Sequence, residues 1–297
     1  MSDDKLYTVT VFTTWTTGEV LHDLFPILDL SPTSYFDKDD QVATLSVYYE
    51  TAEEAIAVEA RLQKEIESWK AFSEIGQYEI NSIEIKKEDW SETWKAFFHP
   101  EKVSDRLVVK PSWEDYDAAE GEIILEIDPG MSFGTGAHGT TRGCLQMIDR
   151  ISLNTPGASF IDMGSGSGIL SIAAAKLGFT AIEAFDYDAD AVRIAGDNFA
   201  LTGVADQINV YTQDLSEYEA SKTFDIVTAN ILPHVLLPNS DRIINAIKKE
   251  SSSRLILSGI LNEQYENLRD HFVAAGLEEV ENIVLGQWTT GCFSPKL

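Results

Sequence analysis

Alternation with a period of two dominates the first third of the chain. In "LYTVTVFTT" Tyr7, Val9 and Val11 alternate with threonines, and in "QVATLSVYYE" Ala43, Leu45, Val47 and Tyr49 share one face, the pattern of half-buried strands. Between them Val20, Leu21, Leu24 and Leu28 recur at helical spacing, with Pro26 expected to distort or end that helix. Thr51 and Glu54 mark a capping box, after which Ala55, Val58, Leu62, Ile66 and Trp69 form a helical stripe, and "YEINSIEIKK" returns to a strand. The order β-α-β(β)-α-β predicts a ferredoxin-like α+β domain over residues 1–88. It offers no nucleophile, metal cluster or phosphate loop, and His22 reads as a solvated helix residue, so the module suits recognition rather than chemistry. "DWSETWKAFFHP" lines Trp90, Trp94 and Phe97 or Phe98 along one helix face ahead of Pro100, predicting a helical linker over 89–105 whose aromatics pack on a neighbouring domain.

From Ala158 the period changes. Short apolar runs ("SFIDM", "AIEAFD", "INVYTQD", "FDIVTANIL", "RLILSG") alternate with helical stretches, which predicts a doubly wound α/β sheet of parallel strands within a domain spanning 106–297. The tail "EEVENIVLGQWTTGCFSPKL" holds two extended segments with no helix between them, expected to close the sheet as an antiparallel hairpin at one edge.

Ligands of such sheets bind at the carboxyl ends of the strands. The first strand ends in Asp162-Met-Gly164-Ser-Gly166-Ser-Gly168, where glycines let backbone approach a ligand and the next helix presents its N–H groups. The second strand ends, about twenty residues on, in Asp186, placed to accept hydrogen bonds from ribose hydroxyls. A nicotinamide-dinucleotide site spaces its glycines G-x-G-x-x-G, whereas Gly164, Gly166 and Gly168 run G-x-G-x-G with an acid two residues before the first. This spacing resembles the first motif of class I S-adenosylmethionine-dependent methyltransferases and leaves a dehydrogenase as the weakest reading. The resemblance implies an adenine contact at Asp214, after the third strand, and a substrate-side polar residue at Asn230, which ends the fourth.

Composition narrows the partner. Acids outnumber bases 49 to 22, a net charge of -27, and the excess extends through both halves. Such a surface repels phosphate backbones, so no direct nucleic-acid specificity is expected, and it steers basic proteins inward. No apolar run approaches the roughly 18 residues of a membrane span, and "MSDDKLYTV" is acidic where a signal peptide is basic, so a cytoplasmic location without membrane attachment is expected. Cys144 and Cys292 read as free thiols, and no metal site is expected.

Together, "FGTGAHGTT", "DMGSGSGIL", "ANIL" and "LSGIL", with "WKAFFHP" and "DRLVVKPSW", resemble the PrmA family, bacterial enzymes that methylate the eleventh protein of the large ribosomal subunit. The resemblance covers essentially the whole chain. It implies S-adenosyl-L-methionine as methyl donor, an N-terminal domain that grips the basic ribosomal protein, and transfer to its α-amine and lysine side chains. It carries cofactor contacts onto Thr141, Gly164, Asp186 and Asn230, to which the motif reading adds Gly166, Asp214 and Phe133. Asn230 is also the candidate for positioning the amine, and the enzyme is expected to be a monomer. Another basic protein or a small-molecule amine is the alternative acceptor, and a catalytically silent cofactor-binding module is the reading from a different class. The departures from the family are Ser165, where cysteine is usual, and Gly139 ahead of the threonines. The segment "DPGMSFGTGAHGTT", Asp128 to Thr141, is expected to fold over the methionine end of the cofactor as a gate. Within it His138 is either a general base or a residue that sets loop geometry.

Overall fold

The computed structural model describes residues 5–28, 30, 32–37, 41–70, 73, 75–86, 99–128 and 138–296. The chain divides into two compact units, Met1–Phe97 and Phe98–Leu297.

In the first unit β1 (Lys5–Thr14), α1 (Trp15–Leu24), β2 (Thr33–Asp37), β3 (Val42–Tyr49), α2 (Ala52–Trp69) and β4 (Tyr78–Lys86) follow in that order. The strands pair antiparallel in the order β2-β3-β1-β4, the ferredoxin-like arrangement. Alternation sorts the side chains: Val9, Val11, Ala43, Leu45 and Val47 are buried with Ala55, Leu62, Ile66 and Trp69 of α2 in one core. Helix α2 starts where the sequence places it, the Thr51 hydroxyl accepting the Glu54 N–H at 3.3 Å. Helix α1 ends at Leu24, and Phe25–Leu28 continue as a 3-10 turn, as the proline at 26 leads one to expect.

The second unit opens with a small sheet, β5 (Glu101–Lys102), β6 (Leu107–Lys110) and β7 (Ile123–Glu126), in the order β5-β6-β7. The helix anticipated around Trp90, Trp94, Phe97 and Phe98 lies outside the described residues. Helix α3 (Gly139–Ser152) then leads into the main alternation: β8 (Ser159–Met163), α4 (Ile169–Lys176), β9 (Thr180–Asp186), α5 (Ala189–Leu201), β10 (Ile208–Thr212) and β11 (Ile226–Asn230). After two short helices, α6 (Pro233–Leu236) and α7 (Ser240–Asn245), come β12 (Arg254–Leu261), α8 (Asn262–Ala274), β13 (Leu277–Leu285) and β14 (Trp288–Pro295).

These seven strands form one sheet, β10-β9-β8-β11-β12-β14-β13, parallel from β10 through β12. The terminal hairpin is antiparallel as anticipated, but its second strand lies inside the sheet: β14 pairs with β12, and β13 is the edge. Helices cover both faces, so the central strands read as continuous apolar runs; Phe160 and Ile256 belong to one face's core, and Ile161, Val227 and Leu257 to the other's.

Candidate functional site

The carboxyl ends of β8, β9, β10 and β11 open on a cavity of about 510 Å³. Its wall includes Thr141, Gly164, Gly166, Asp186, Asp214 and Asn230, so the fold gathers into one space six of the seven cofactor-site residues read from sequence. The seventh, Phe133, lies with residues 129–137 outside the described residues, and so does most of the anticipated gate.

The glycine loop turns sharply after β8: Gly164, Gly166 and Gly168 all have positive φ, 75°, 52° and 81°, a conformation that side chains with a Cβ disfavour. Beneath it the carboxylate of Asp162 is fully buried and accepts hydroxyl hydrogen bonds from Ser171 (2.9 Å) and Thr228 (3.1 Å). Burial outweighs these bonds and pushes its carboxyl up to about 6. The carboxylate of Asp186 is oriented by backbone, accepting N–H bonds from Gly166 at 2.9 Å and Asp188 at 3.1 Å. Asp214, at the third strand end, caps a short 3-10 turn by accepting the Ser216 N–H at 2.7 Å, and hydrogen bonds from Ser216 hold its carboxyl below the usual range.

At the other end of the cavity the Asn230 amide nitrogen donates to the Thr141 hydroxyl at 3.5 Å, and Asn230 Oδ1 is buried with no hydrogen-bond partner. His138 is the N-cap of α3: its Nδ1 accepts the Thr140 N–H at 3.4 Å and lies 2.8 Å from the Thr140 hydroxyl. Its ring sits 5.0 Å from that of Trp288, and burial lowers its pKa. A nitrogen committed to capping, on a ring that burial discourages from protonation, suits the geometric role better than that of a base. Gly139 also has a concrete reason: a Cβ there would stand 3.2 Å from both the Leu285 carbonyl oxygen and the Trp288 ring, so space rather than flexibility selects glycine.

Ile231 was not visible as a site residue in the sequence. A Cβ on Gly164 would come within 2.8 Å of its side chain, and one on Gly259 within 2.6 Å of its carbonyl oxygen. Two glycines from different strands thus leave room for the residue that follows Asn230. Gly259 does so at φ 84°, inside the register shift between Leu257 and Ile260 of β12. The "LSGIL" motif carried this signal, but as resemblance without a geometric reason. Trp288 likewise reaches the cavity only through the β14 pairing.

Among the described residues no helix is long and apolar enough to cross a membrane, and no group of three His, Cys, Asp or Glu side chains is placed to hold a metal. Cys144 and Cys292 are both free and buried.

The sequence profile described as Ribosomal protein L11 methyltransferase (PrmA) matches residues 24–294. A ribosomal protein L11 methyltransferase of Acetivibrio thermocellus is 42% identical over 217 residues, covering 73% of this chain and 67% of that protein. Another, from Streptococcus pyogenes serotype M3, is 36% identical over 258 residues, covering 86% and 80%. Among solved structures, the ribosomal protein L11 methylase of Lactobacillus delbrueckii subsp. bulgaricus superposes with a TM-score of 0.61 at 28% identity, over 67% of this chain and 100% of that one. With the family profile spanning nearly the whole chain and the glycine loop, Asp186 and Asn230 sharing one cavity, this chain belongs to the ribosomal protein L11 methyltransferase family.

Proposed function

We propose that this chain is an S-adenosylmethionine-dependent protein N-methyltransferase acting on amino groups of ribosomal protein L11, the α-amine and lysine side chains. The observation that carries the reading is the single cavity with a glycine loop and Asp186 at one end and the Asn230–Thr141 pair at the other. These residues suit S-adenosylmethionine. The positive-φ glycines let backbone approach closely, and Asp186, already oriented by two N–H groups, retains lone pairs for ribose hydroxyls. Asp214 would hold the adenine and Thr141 the methionine moiety, both being in the cavity wall; Phe133, the remaining proposed contact, lies outside the described residues. When bound, the cofactor supplies a methyl group on a sulfonium, open to in-line displacement.

The chain's own task is to present a neutral nitrogen about 3 Å from that carbon. Exposing the free amine at pH 7 costs about 4.6 kcal/mol for a lysine and roughly 1 kcal/mol for an α-amine, so the α-amine is the easier acceptor. A carboxylate beside the amine would hold it protonated. Asn230 Oδ1 is neutral and unpartnered, and it accepts an amine N–H while leaving the lone pair for the methyl carbon. His138 keeps the start of α3 in place, and the amine loses its proton to water before docking.

The first unit supplies the grip on L11, a basic partner matched to a chain of net charge -27. A ribosomal substrate sets the work in the cytoplasm, with no nucleic-acid specificity of its own. The exposed edge strand β13 carries Glu278, Glu279 and Glu281, charges that discourage edge-to-edge pairing and favour a monomer. Mass spectrometry of L11 after incubation with this protein and labelled donor tests the reading: methylated amines on L11 are expected. Label appearing only on another basic protein or a small amine would replace L11 as acceptor.

A further inference from the structure

Ser165, between the first two glycines of the loop, has no task in the mechanism above. Its backbone is pinned, the N–H donating to the Phe185 carbonyl at 3.0 Å and the carbonyl accepting from Gly168 N–H at 2.8 Å. Its side chain is not. Ser165 lines the cavity and is only 7% exposed, and its hydroxyl oxygen is buried without a hydrogen-bond partner.

A hydroxyl taken out of water without a partner destabilises the protein that holds it, so such atoms are rare and call for a cause. Among the described residues there are three: Ser165 Oγ, Asn230 Oδ1 and Ser253 Oγ. Ser253 immediately precedes β12, at the end of that strand away from the cavity, and does not line it. The other two belong to the wall of the same cavity, and Asn230 Oδ1 already has a use there. Resting on the cofactor assignment made above, we infer that Ser165 Oγ is a hydrogen-bonding ligand of bound S-adenosylmethionine. The hydroxyl has no bond to break and offers both a donor and an acceptor. A cysteine thiol at this position would offer only a weak donor.

Isothermal titration of the full-length protein with S-adenosylhomocysteine, alongside thermal unfolding without ligand, tests this. Ser165→Ala and Ser165→Cys are expected to bind about three- to tenfold more weakly than the wild type, the loss of one hydrogen bond. Unliganded Ser165→Ala should melt no lower than the wild type, because no bond is lost in that state. Unchanged affinity in Ser165→Ala would overturn the inference. So would weakened binding accompanied by a lower unliganded melting temperature, which would make the role structural. Failure of the wild type itself to bind would instead remove the cofactor assignment, and the inference with it.

Discussion

The two units solve the same burial problem in opposite ways, and the difference locates the chemistry. The first has an antiparallel sheet with one face on its helices; on the other face Thr8 and Thr10 are buried, Ser46 is half-buried, and Phe12 and Tyr48 are exposed at 42% and 36%. The second has a largely parallel sheet with both faces in a core, so no face is left for function. Its polar residues gather at the carboxyl strand ends, where backbone groups leave the ladder and helices begin. A fully covered sheet offers a rim, and this rim holds the glycine loop, Asp186 and Asn230.

If that division holds, damage to one unit should spare the other. Leu62→Ala removes a fully buried side chain of the first core and should cost about 2–5 kcal/mol in that unit's unfolding. S-adenosylhomocysteine affinity, read by calorimetry, should stay at the wild-type value; a parallel fall would show that the units are energetically coupled.

A second contrast is electrostatic, because the first unit has no buried acid among its described residues while the second buries Asp149, Asp162 and Asp186. The Asp162 carboxyl, pushed up to about 6 from 3.8, favours the native state most when protonated. Its contribution is therefore full below pH 3.8 and is lost as pH rises through about 6, a swing on the order of 3 kcal/mol. Urea unfolding of Asp162→Asn should lack this decline between pH 4 and 6, and an identical pH dependence in both proteins would contradict the burial argument.

At the rim, Asn230→Ala should lower L11 methylation about 10²-fold, near 2.7 kcal/mol, while changing S-adenosylhomocysteine affinity only several-fold. Wild-type turnover would remove Asn230 from the mechanism. The smallest effect is expected at His138. Substituting glutamine should cost about 1 kcal/mol of helix stability through the lost cap and leave the shape of the pH–rate profile unchanged. Disappearance of a limb near neutrality would restore the general base.

Local pattern carried much of this. Alternation along β1 and β3, the stripe of α2 and the apolar runs of β8, β11 and β12 each report burial by neighbours, and burial dictates residue type. The G-x-G-x-G spacing and Asp186 were legible for the same reason: positive φ demands glycine, and a strand end demands a ligand-facing polar group. The small sheet β5-β6-β7 was not, since its strands are only two to four residues long, too short for a period to register.

The chain by itself determined the sheet type, the family and six residues of the cavity wall, because each leaves its mark within a few neighbours along the sequence. Tertiary structure decided which distant residues share space: Asn230 with Thr141, Ile231 between Gly164 and Gly259, His138 against Trp288, and β14 between β12 and β13. It also decided that the hydroxyl of Ser165 is buried without a partner. Such facts depend on close approach between segments tens of residues apart, and no local period records how near two remote side chains come.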